Sequence, residues 1–539
     1  VDGSQLDNPR EDDGSLPKIT FLHLASGSDL IDKGVSVPGR TTDGDGKTIT
    51  GTPDLGPFEY QTTTPTCSND CTLNTRQCSG TSGYIICGNY DYDSCTEWSG
   101  IIECNFGETC SGGVCVPSTN PTIEQADYYV SPFGSDSNPG TIDRPFASIN
   151  KAWSLASAGD LIYVRGGKYT YAKMGQTNIA GKSGTPGNMI KIWNYPTEKP
   201  VIDFSDYGNT ASRTGISIYN ADYVHLKGIR VTNMPQPTSG AFTHVGIRVT
   251  DGSDNNIIEN CESDHIGGWG FVLMGGSDTA GKSCSNNLFL NCDSHHNADP
   301  YSPDSYGGAD GFLSNCYAGT AYISMNNTFR GCRAWWNSDD GWDLRTMDGS
   351  IIIDNCWAFW NGYIPGTFTH GGNGEGFKLG TKKSPPDVTT VLRKVTNSLA
   401  VENYLLGFHH FDTSGYYTFS VNAYNNFAYK NGAGGQFNFG AMSGSSDILR
   451  NNLAHGSSYV SSAVNDHNSW NWGVTVTDGD FVSLNVYQLL SPREIDGSLP
   501  KNVTFGHLVS GSDLINKGTP ISGISYLGSA PDLGAFERE

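Results

Sequence analysis

The sequence predicts an all-β protein: a right-handed parallel β-helix with an N-terminal capping helix, plus a small disulfide-rich module. Three observations carry the prediction. Short strand patterns ending in Asn and a small residue recur through the middle of the chain. Glycine makes up 68 of 539 residues and charged residues only 16%, a composition of turns and short strands rather than helices. Eight of the 14 cysteines crowd into residues 67–115.

The strand repeat comes first. NNIIENCES (255–263), NNLFLNCDS (286–294), NNTFRGCRA (326–334) and SIIIDNCWA (350–358) superpose. KVTNSLA (394–400), NAYNNFA (422–428) and ILRNNLA (448–454) continue the series. From Cys261 the equivalent positions are 292, 332, 356, 398, 426 and 452, giving steps of 31, 40, 24, 42, 28 and 26 residues. A minimum of 24 with variable excess is one coil per repeat, with loops of different length inserted at a corner. Asn260, Asn291, Asn355, Asn397, Asn425 and Asn451 recur at one position and are expected to stack as an Asn ladder. Cys261, Cys292, Cys332 and Cys356 beside them read as small buried packing residues. Cys284 and Cys316 fall outside the series and are free to pair with each other.

The remaining elements follow in order. Residues 127–170 open the solenoid, with a strand in YYVSPFGSDSNPGT and one amphipathic helix in RPFASINKAWSLASAGD that caps the open coil end. Cys67, Cys71, Cys78, Cys87, Cys95, Cys104, Cys110 and Cys115 form an even set with few apolar residues between them, which reads as a disulfide-stapled module. Zinc is the weaker reading, since the stretch has neither a CxxC pair nor a histidine. The two ends of the chain are copies: DGSLPKITFLHLASGSDLIDKG (13–34) matches DGSLPKNVTFGHLVSGSDLINKG (496–518), and each is followed by PDLG-x-FE, at 53–59 and 531–537. The expected organisation is a tail-like segment at 1–60, a linker at 61–66, the cysteine module at 67–115, a linker at 116–126 and the β-helix at 127–539. Segment 1–60 is the end of a preceding module or an inter-subunit segment that completes a neighbour.

Charge excludes several partners. The formal net charge is −22, against the basic surface that nucleic acid requires. No run of eighteen apolar residues exists to span a membrane. The disulfide framework places the protein outside the cell, as a secreted product. Asn326 and Asn502 lie in glycosylation-type acceptor sequences.

The chemistry concentrates in ADGF (309–312), NSDDGWD (337–343) and GNGEGFKLG (372–380). Coils stack about 4.8 Å apart, so Asp310, Asp339, Asp340 and Asp343 on neighbouring coils converge. Carboxylates that close repel unless a cation neutralises them, and a flexible all-oxygen set suits Ca²⁺. Lys378 lies one coil after Asp343, between Phe377 and Leu379. Alternation turns those two inward and Lys378 toward the carboxylates, where a neighbouring cation would lower its pKa and fit it to act as a base. Ca²⁺ and a neutral Lys suit β-elimination on a uronate: the cation binds the carboxylate and the Lys removes the C5 proton.

From about residue 127 to 539 the chain resembles polysaccharide lyase family 9, the pectate-lyase-like β-helix proteins. LNCDSHHNADP, ADGF, FRGCRAWWNSDDGWDL, CWAFWNGY, GNGEGFKLG and the tail SPREIDGSLP carry the resemblance, in that order. It implies Asp310, Asp339, Asp340 and Asp343 as Ca²⁺ ligands and Lys378 as the base, acting on an acidic polysaccharide such as polygalacturonate or rhamnogalacturonan. Three positions depart from the family pattern: Asn315 where members carry Lys, the coil VTTVLRKVTNSLA without its usual His, and GFHHFDTSG at 407–415. Arg345, His370, Lys382, Lys383, His409 and His410 are the candidate substrate-groove residues. Trp335, Trp336, Trp357 and Trp360 are candidates for sugar stacking or for packing. The competing reading is a structural or adhesive protein that forms tandem or head-to-tail fibres through residues 1–60; a non-catalytic carbohydrate-binding module is the third.

Overall fold

A computed structural model describes parts of residues 28–117 and residues 124–538, apart from 209–210, 237–243, 276–283, 317–323, 347–348, 381–390, 411–419, 441–446 and 462–463. The chain divides into two compact units, Val1–Ile123 and Glu124–Glu539. In the first, disulfides Cys71–Cys87 and Cys78–Cys110 staple short antiparallel strands. Cys67, Cys95 and Cys104 lie outside the described residues, as does the side chain of Cys115.

The second unit is a right-handed parallel β-helix. Three parallel sheets run its length, of twelve, ten and ten strands among the described residues. Each coil contributes in turn to a base sheet (Tyr128–Val130 to Val464–Asp466), a flank sheet (Gly167–Thr170 to Leu453–His455) and a front sheet (Thr177–Ala180 to Tyr459–Val460). The helix Ile149–Leu155 caps the N-terminal end: Ser148 Oγ accepts from Lys151 N at 3.1 Å, and Ile149, Ala152 and Trp153 are buried. The interior is a continuous apolar column, with Phe271, Phe312, Trp342, Phe377, Phe408 and Phe437 stacked at centroid spacings of 4.6–5.0 Å.

The asparagine repeat forms the expected amide contact between coils at Asn451, whose Nδ2 donates to Asn425 Oδ1 at 3.1 Å, but its shared feature is a backbone one. Asn260, Asn291, Asn355, Asn397, Asn425 and Asn451 all have φ between 51° and 58°. They turn the chain from base to flank sheet in the left-handed conformation that Asn tolerates better than most residues, and Gly331 (φ 63°) takes the same place in its coil. The buried ladder is one residue on: Cys261, Cys292, Cys332, Cys356, Ser398, Asn426, Asn452 and Asn468 form a single column. Within it Cys292 N donates to Cys332 Sγ (3.4 Å), Cys356 N to Ser398 Oγ (3.1 Å) and Ser398 N to Asn426 Oδ1 (3.0 Å). Thiol and amide do one job here, since each also donates to a carbonyl of the preceding coil: Cys332 Sγ to Phe289 O, Asn426 Nδ2 to Val395 O. Burial pushes the Cys261 thiol up to about 12, as it does for Cys284. Cys284 is a free buried thiol that donates to Met274 O, against the expected pairing with Cys316, whose side chain lies outside the described residues.

After the last coil, residues 467–538 run back over the outer face of the flank sheet. Phe481, Leu489, Phe505, Leu514 and Leu533 pack there on Trp357, Phe359, Leu399, Phe427 and Leu453. Trp335, Trp357 and Trp360 are therefore buried packing residues, with no ring face open to a sugar; Trp336 is half-buried. Arg493 of this tail strap donates to both oxygens of Asp293, which Arg333 also grips. The two arginines, outweighing burial, hold Asp293 well below the usual carboxylate range. Asn326 and Asn502 are exposed.

Candidate active site

The front sheet builds the site from one short pattern repeated on successive coils: acidic or apolar residue, glycine, aromatic, outward residue. It reads Asp310-Gly311-Phe312-Leu313, Asp340-Gly341-Trp342-Asp343, Glu375-Gly376-Phe377-Lys378 and Leu406-Gly407-Phe408-His409. The stacked aromatics point inward and fix the alternation. The next residue on each strand then projects outward, and register aligns Leu313, Asp343, Lys378, His409 and Asn438 in one row.

The glycines are required by close approach. A Cβ on Gly341 would lie 2.6 Å from Gly376 O and 3.0 Å from Asn361 Nδ2, and Gly376 and Gly407 meet their neighbours in the same way. What crowds them is a second buried amide ladder, Asn297, Asn337, Asn361, Asn403, Asn431 and Gln436. Each Nδ2 donates to the next side-chain oxygen at 2.7–2.9 Å. This ladder pins the corner from which Asp339 and Asp340 emerge.

Asp310, Asp339, Asp340 and Asp343 are all buried. One carboxylate oxygen from each of Asp310, Asp340 and Asp343 lies within 4.8 Å of the others. Asp310 Oδ1 accepts from Asp340 N (3.1 Å) and Asp340 Oδ1 from Glu375 N (2.8 Å), so each acid anchors the coil below it. Asp339 accepts from Asn373 N at 2.6 Å. Lys378 Nζ donates to Asp340 Oδ2 at 2.7 Å and lies 3.5 Å from Asp343 Oδ2.

Four carboxylates thus face one ammonium. Burial, with neighbouring like charge, raises Asp310 and Asp340 well above the carboxylate range and pushes Asp339 up to about 7. Burial alone would lower Lys378; the carboxylates of Asp340, Asp343, Glu375 and Asp339 outweigh it and hold Lys378 well above its ordinary value. The negative excess and the all-oxygen donor set fit a hard divalent cation, and the triad Asp310, Asp340 and Asp343 has no nitrogen or sulfur ligand to favour zinc.

The other predicted residues divide. His409 lies one coil below Lys378 on the same row, and its Nδ1 donates to Glu375 Oε2 at 2.8 Å. His370 is exposed, donates to Gly372 O and stacks on Tyr404 at 3.9 Å. His410 is a correction: it is fully buried and paired with Asp447 at 2.9 Å, because alternation turns it inward like Phe408. Lys382, Lys383 and the side chain of Arg345 lie outside the described residues. Two residues were missed. Glu375 is the third acid of the Asp310–Asp340 column, and the x-G-aromatic pattern marks it. Asp299 is buried, its carboxylic acid favoured by burial, and it stands 3.5 Å from Ser338 Oγ. Aligning Asn297-Ala298-Asp299 with Asn337-Ser338-Asp339 would have found it.

The chain is similar to known proteins over most of its β-helix. The family described as "Pel9A-like, right handed beta helix region" matches residues 128–452. Pectate lyase L of Dickeya chrysanthemi is 36% identical over 419 residues, covering 76% of this chain and 90% of that protein. Pectate lyase PEL9 of Emericella nidulans is 32% identical over 402 residues, covering 70% and 92%. The crystal structure of pectate lyase Pel9A superposes with TM-score 0.62 at 32% identity, over 76% of this chain and 96% of its own. A rhamnogalacturonan lyase does so with TM-score 0.59 at 29% identity, over 71% and 96%. With this family match over residues 128–452 and these relatives, the chain belongs to the Pel9A-like, pectate-lyase-like family of β-helix polysaccharide lyases, polysaccharide lyase family 9.

Proposed function

We propose that the protein is a secreted, Ca²⁺-dependent lyase that cleaves a pectate-like uronate polysaccharide by β-elimination, with Lys378 as the base. The observation that carries this reading is the register of the front sheet. It sets Lys378 beside Asp343, with the carboxylate triad one coil away. The relatives named pectate lyase support the substrate class, and the two disulfides support an oxidising compartment.

Asp310, Asp340 and Asp343 would hold the cation, with Asp339 beside them. A Ca²⁺ ion held there would supply a positive pole for the uronate carboxylate and so would make the C5 proton more acidic. Lys378 Nζ takes that proton; the C–H electron pair becomes the C4–C5 double bond as the C4–O bond breaks, and the leaving oxygen is protonated by solvent. Lys378 must be neutral to do so. Asp340 and Asp343 hold it as an ammonium, and a cation drawing on the same carboxylates would weaken that hold. His409, one coil below, pairs with Glu375 of the base's own strand and gives the base a polar neighbour on that side. The front-sheet row continues upward through Leu313 and Val272 to Arg248, which offers a positive end to a polyanion on a chain of charge −22.

The test is appearance of the unsaturated uronate chromophore on polygalacturonate and on rhamnogalacturonan, with Ca²⁺ or with EDTA. Activity is expected with Ca²⁺ only. Lys378→Ala should lose about 10²–10⁴-fold in kcat while keeping its far-ultraviolet β signature. A fully active Lys378→Ala, or full activity in EDTA, refutes the mechanism.

A further inference from the structure

We infer that the N-terminal segment, residues 5–59, is a second copy of the closing strap, built to seat on the flank wall of the β-helix in a second copy of this chain. The sequence match extends past the copied stretch. Gln5-Leu6 and Pro9-Arg10-Glu11 repeat Gln488-Leu489 and Pro492-Arg493-Glu494. The side chains that the C-terminal strap lays on its wall are almost all present again: Leu6 for Leu489, Phe21 for Phe505, Leu30 for Leu514, Leu55 for Leu533. Arg10 stands where Arg493 clamps Asp293.

Where the N-terminal copy is described, its backbone closes in the same way. Gly34 N donates to Pro53 O at 2.6 Å, as Gly518 N does to Pro531 O at 2.7 Å. Asp32 N donates to Asp54 Oδ1 at 2.7 Å, as Asn516 N does to Asp532 Oδ1 at 2.7 Å. Asp32 and Asn516 share the left-handed conformation, at φ 55° and 56°. Leu55 N bonds Leu30 O, and Leu533 N bonds Leu514 O.

The two copies differ in what covers them. Leu514 and Leu533 are buried at 0% and 1% exposure; Leu30 and Leu55 are 41% and 49% exposed. A Cβ on Gly534 would meet Leu453 of the wall at 3.0 Å, whereas one on Gly56 would meet nothing within 4 Å. Where it is described, the N-terminal copy therefore repeats the backbone closure of the strap, with Leu30 and Leu55 exposed where their twins are buried. The occupant that fits is the surface its twin already sits on: the Asp293 carboxylate and the Phe427–Leu453 face. Each chain carries two straps for one such wall, so the N-terminal strap of one copy competes with the C-terminal strap of the next, and association runs head to tail.

The test uses the full chain in three forms: wild type, the double variant Phe505→Ala/Leu514→Ala that weakens the C-terminal strap, and that variant with Leu30→Ala/Leu55→Ala added. Sedimentation velocity is read over a concentration series. Weakening the C-terminal strap should tighten association by at least about tenfold over wild type, since it removes an intramolecular competitor. The added N-terminal changes should abolish it. A monomeric double variant overturns the inference, including one kept stable by its own N-terminal copy, and so does undiminished association in the quadruple variant. If the double variant unfolds, wild type decides: concentration-dependent association removed by Leu30→Ala/Leu55→Ala supports the inference, and none at any concentration overturns it. Lyase activity is no part of the readout.

Discussion

Replacing Asn361 by Ala should cost the β-helix about 4 kcal/mol, far more than any substitution of the exposed corner Asn355. The Asn361 amide sits between two others. Its oxygen accepts from Asn337 N (3.3 Å) and Asn337 Nδ2 (2.9 Å); its nitrogen donates to Ala334 O (3.0 Å) and Asn403 Oδ1 (2.9 Å). Truncation removes all four. At about 1 kcal/mol net for each bond, the sum is about 4 kcal/mol, and any buried donor left without a partner adds to it. Asn355 makes no such set; it is exposed at φ 51°, so Asn355→Gly should be nearly neutral and Asn355→Ala should cost about 1 kcal/mol for a β-carbon in the left-handed region. The assay is urea unfolding followed by tryptophan fluorescence. Lyase rate is the second readout, because the same corner carries Asp339 and Asp340. A loss below about 1 kcal/mol for Asn361→Ala, or a larger one for Asn355→Ala, would refute the reasoning.

Three further outcomes are expected. Gly341→Ala should destabilise by about 3 kcal/mol and cut activity, since its Cβ would meet the Gly376 carbonyl at 2.6 Å, whereas Gly366→Ala, with open space around it, should cost about 1 kcal/mol through φ alone; urea midpoints compare them. His244 is fully buried, and burial, aided by Arg213, pushes it down to about 4, so the unfolded chain binds the extra proton. Stability should then fall as pH drops from about 6.5 toward 4, by at most about 3 kcal/mol from this group, and His244→Gln should flatten the slope measured by urea midpoints at each pH. Cys78→Ser opens a bridge with sequence separation 32; it should destabilise the N-terminal unit by about 3 kcal/mol and leave the thermal transition of the β-helix unchanged, as calorimetry would show.

Much of this was legible in the sequence because solenoid order is sequence order. The coil period put Asp310, Asp340, Asp343 and Lys378 on adjacent strands, and alternation around Phe377 and Leu379 turned Lys378 outward. The ladder was misplaced by one residue for a physical reason. A corner residue and its successor recur with the same period, and at 425–426 and 451–452 both are buried Asn bonded between coils, so spacing alone cannot separate the left-handed corner from the column beside it. The same alternation, applied from Gly407-Phe408, separates His409 from His410. The tryptophans went unresolved because the wall they pack under belongs to the strap, more than a hundred residues downstream. The meaning of the glycines was also out of reach: their backbone is ordinary at 311, 341 and 376, and only the neighbouring coil's amides show why no side chain fits.

The amides behind the site all point the same way. From Asn297 to Asn403 every side-chain nitrogen donates to the amide oxygen of the next coil, and Asn431 passes the same sense on to Gln436 of its own coil. Aligned dipoles of this kind polarise one another, and none can turn over singly without setting two donors and two acceptors face to face. The row therefore has a polarity, like a line of compass needles locked in one sense along the axis. A coil gained or lost during evolution must bring its own needle, correctly oriented, or it interrupts the line at the corner that carries Asp339 and Asp340. The domain is free to vary in its loops, but in this stretch it lengthens and shortens only by whole coils.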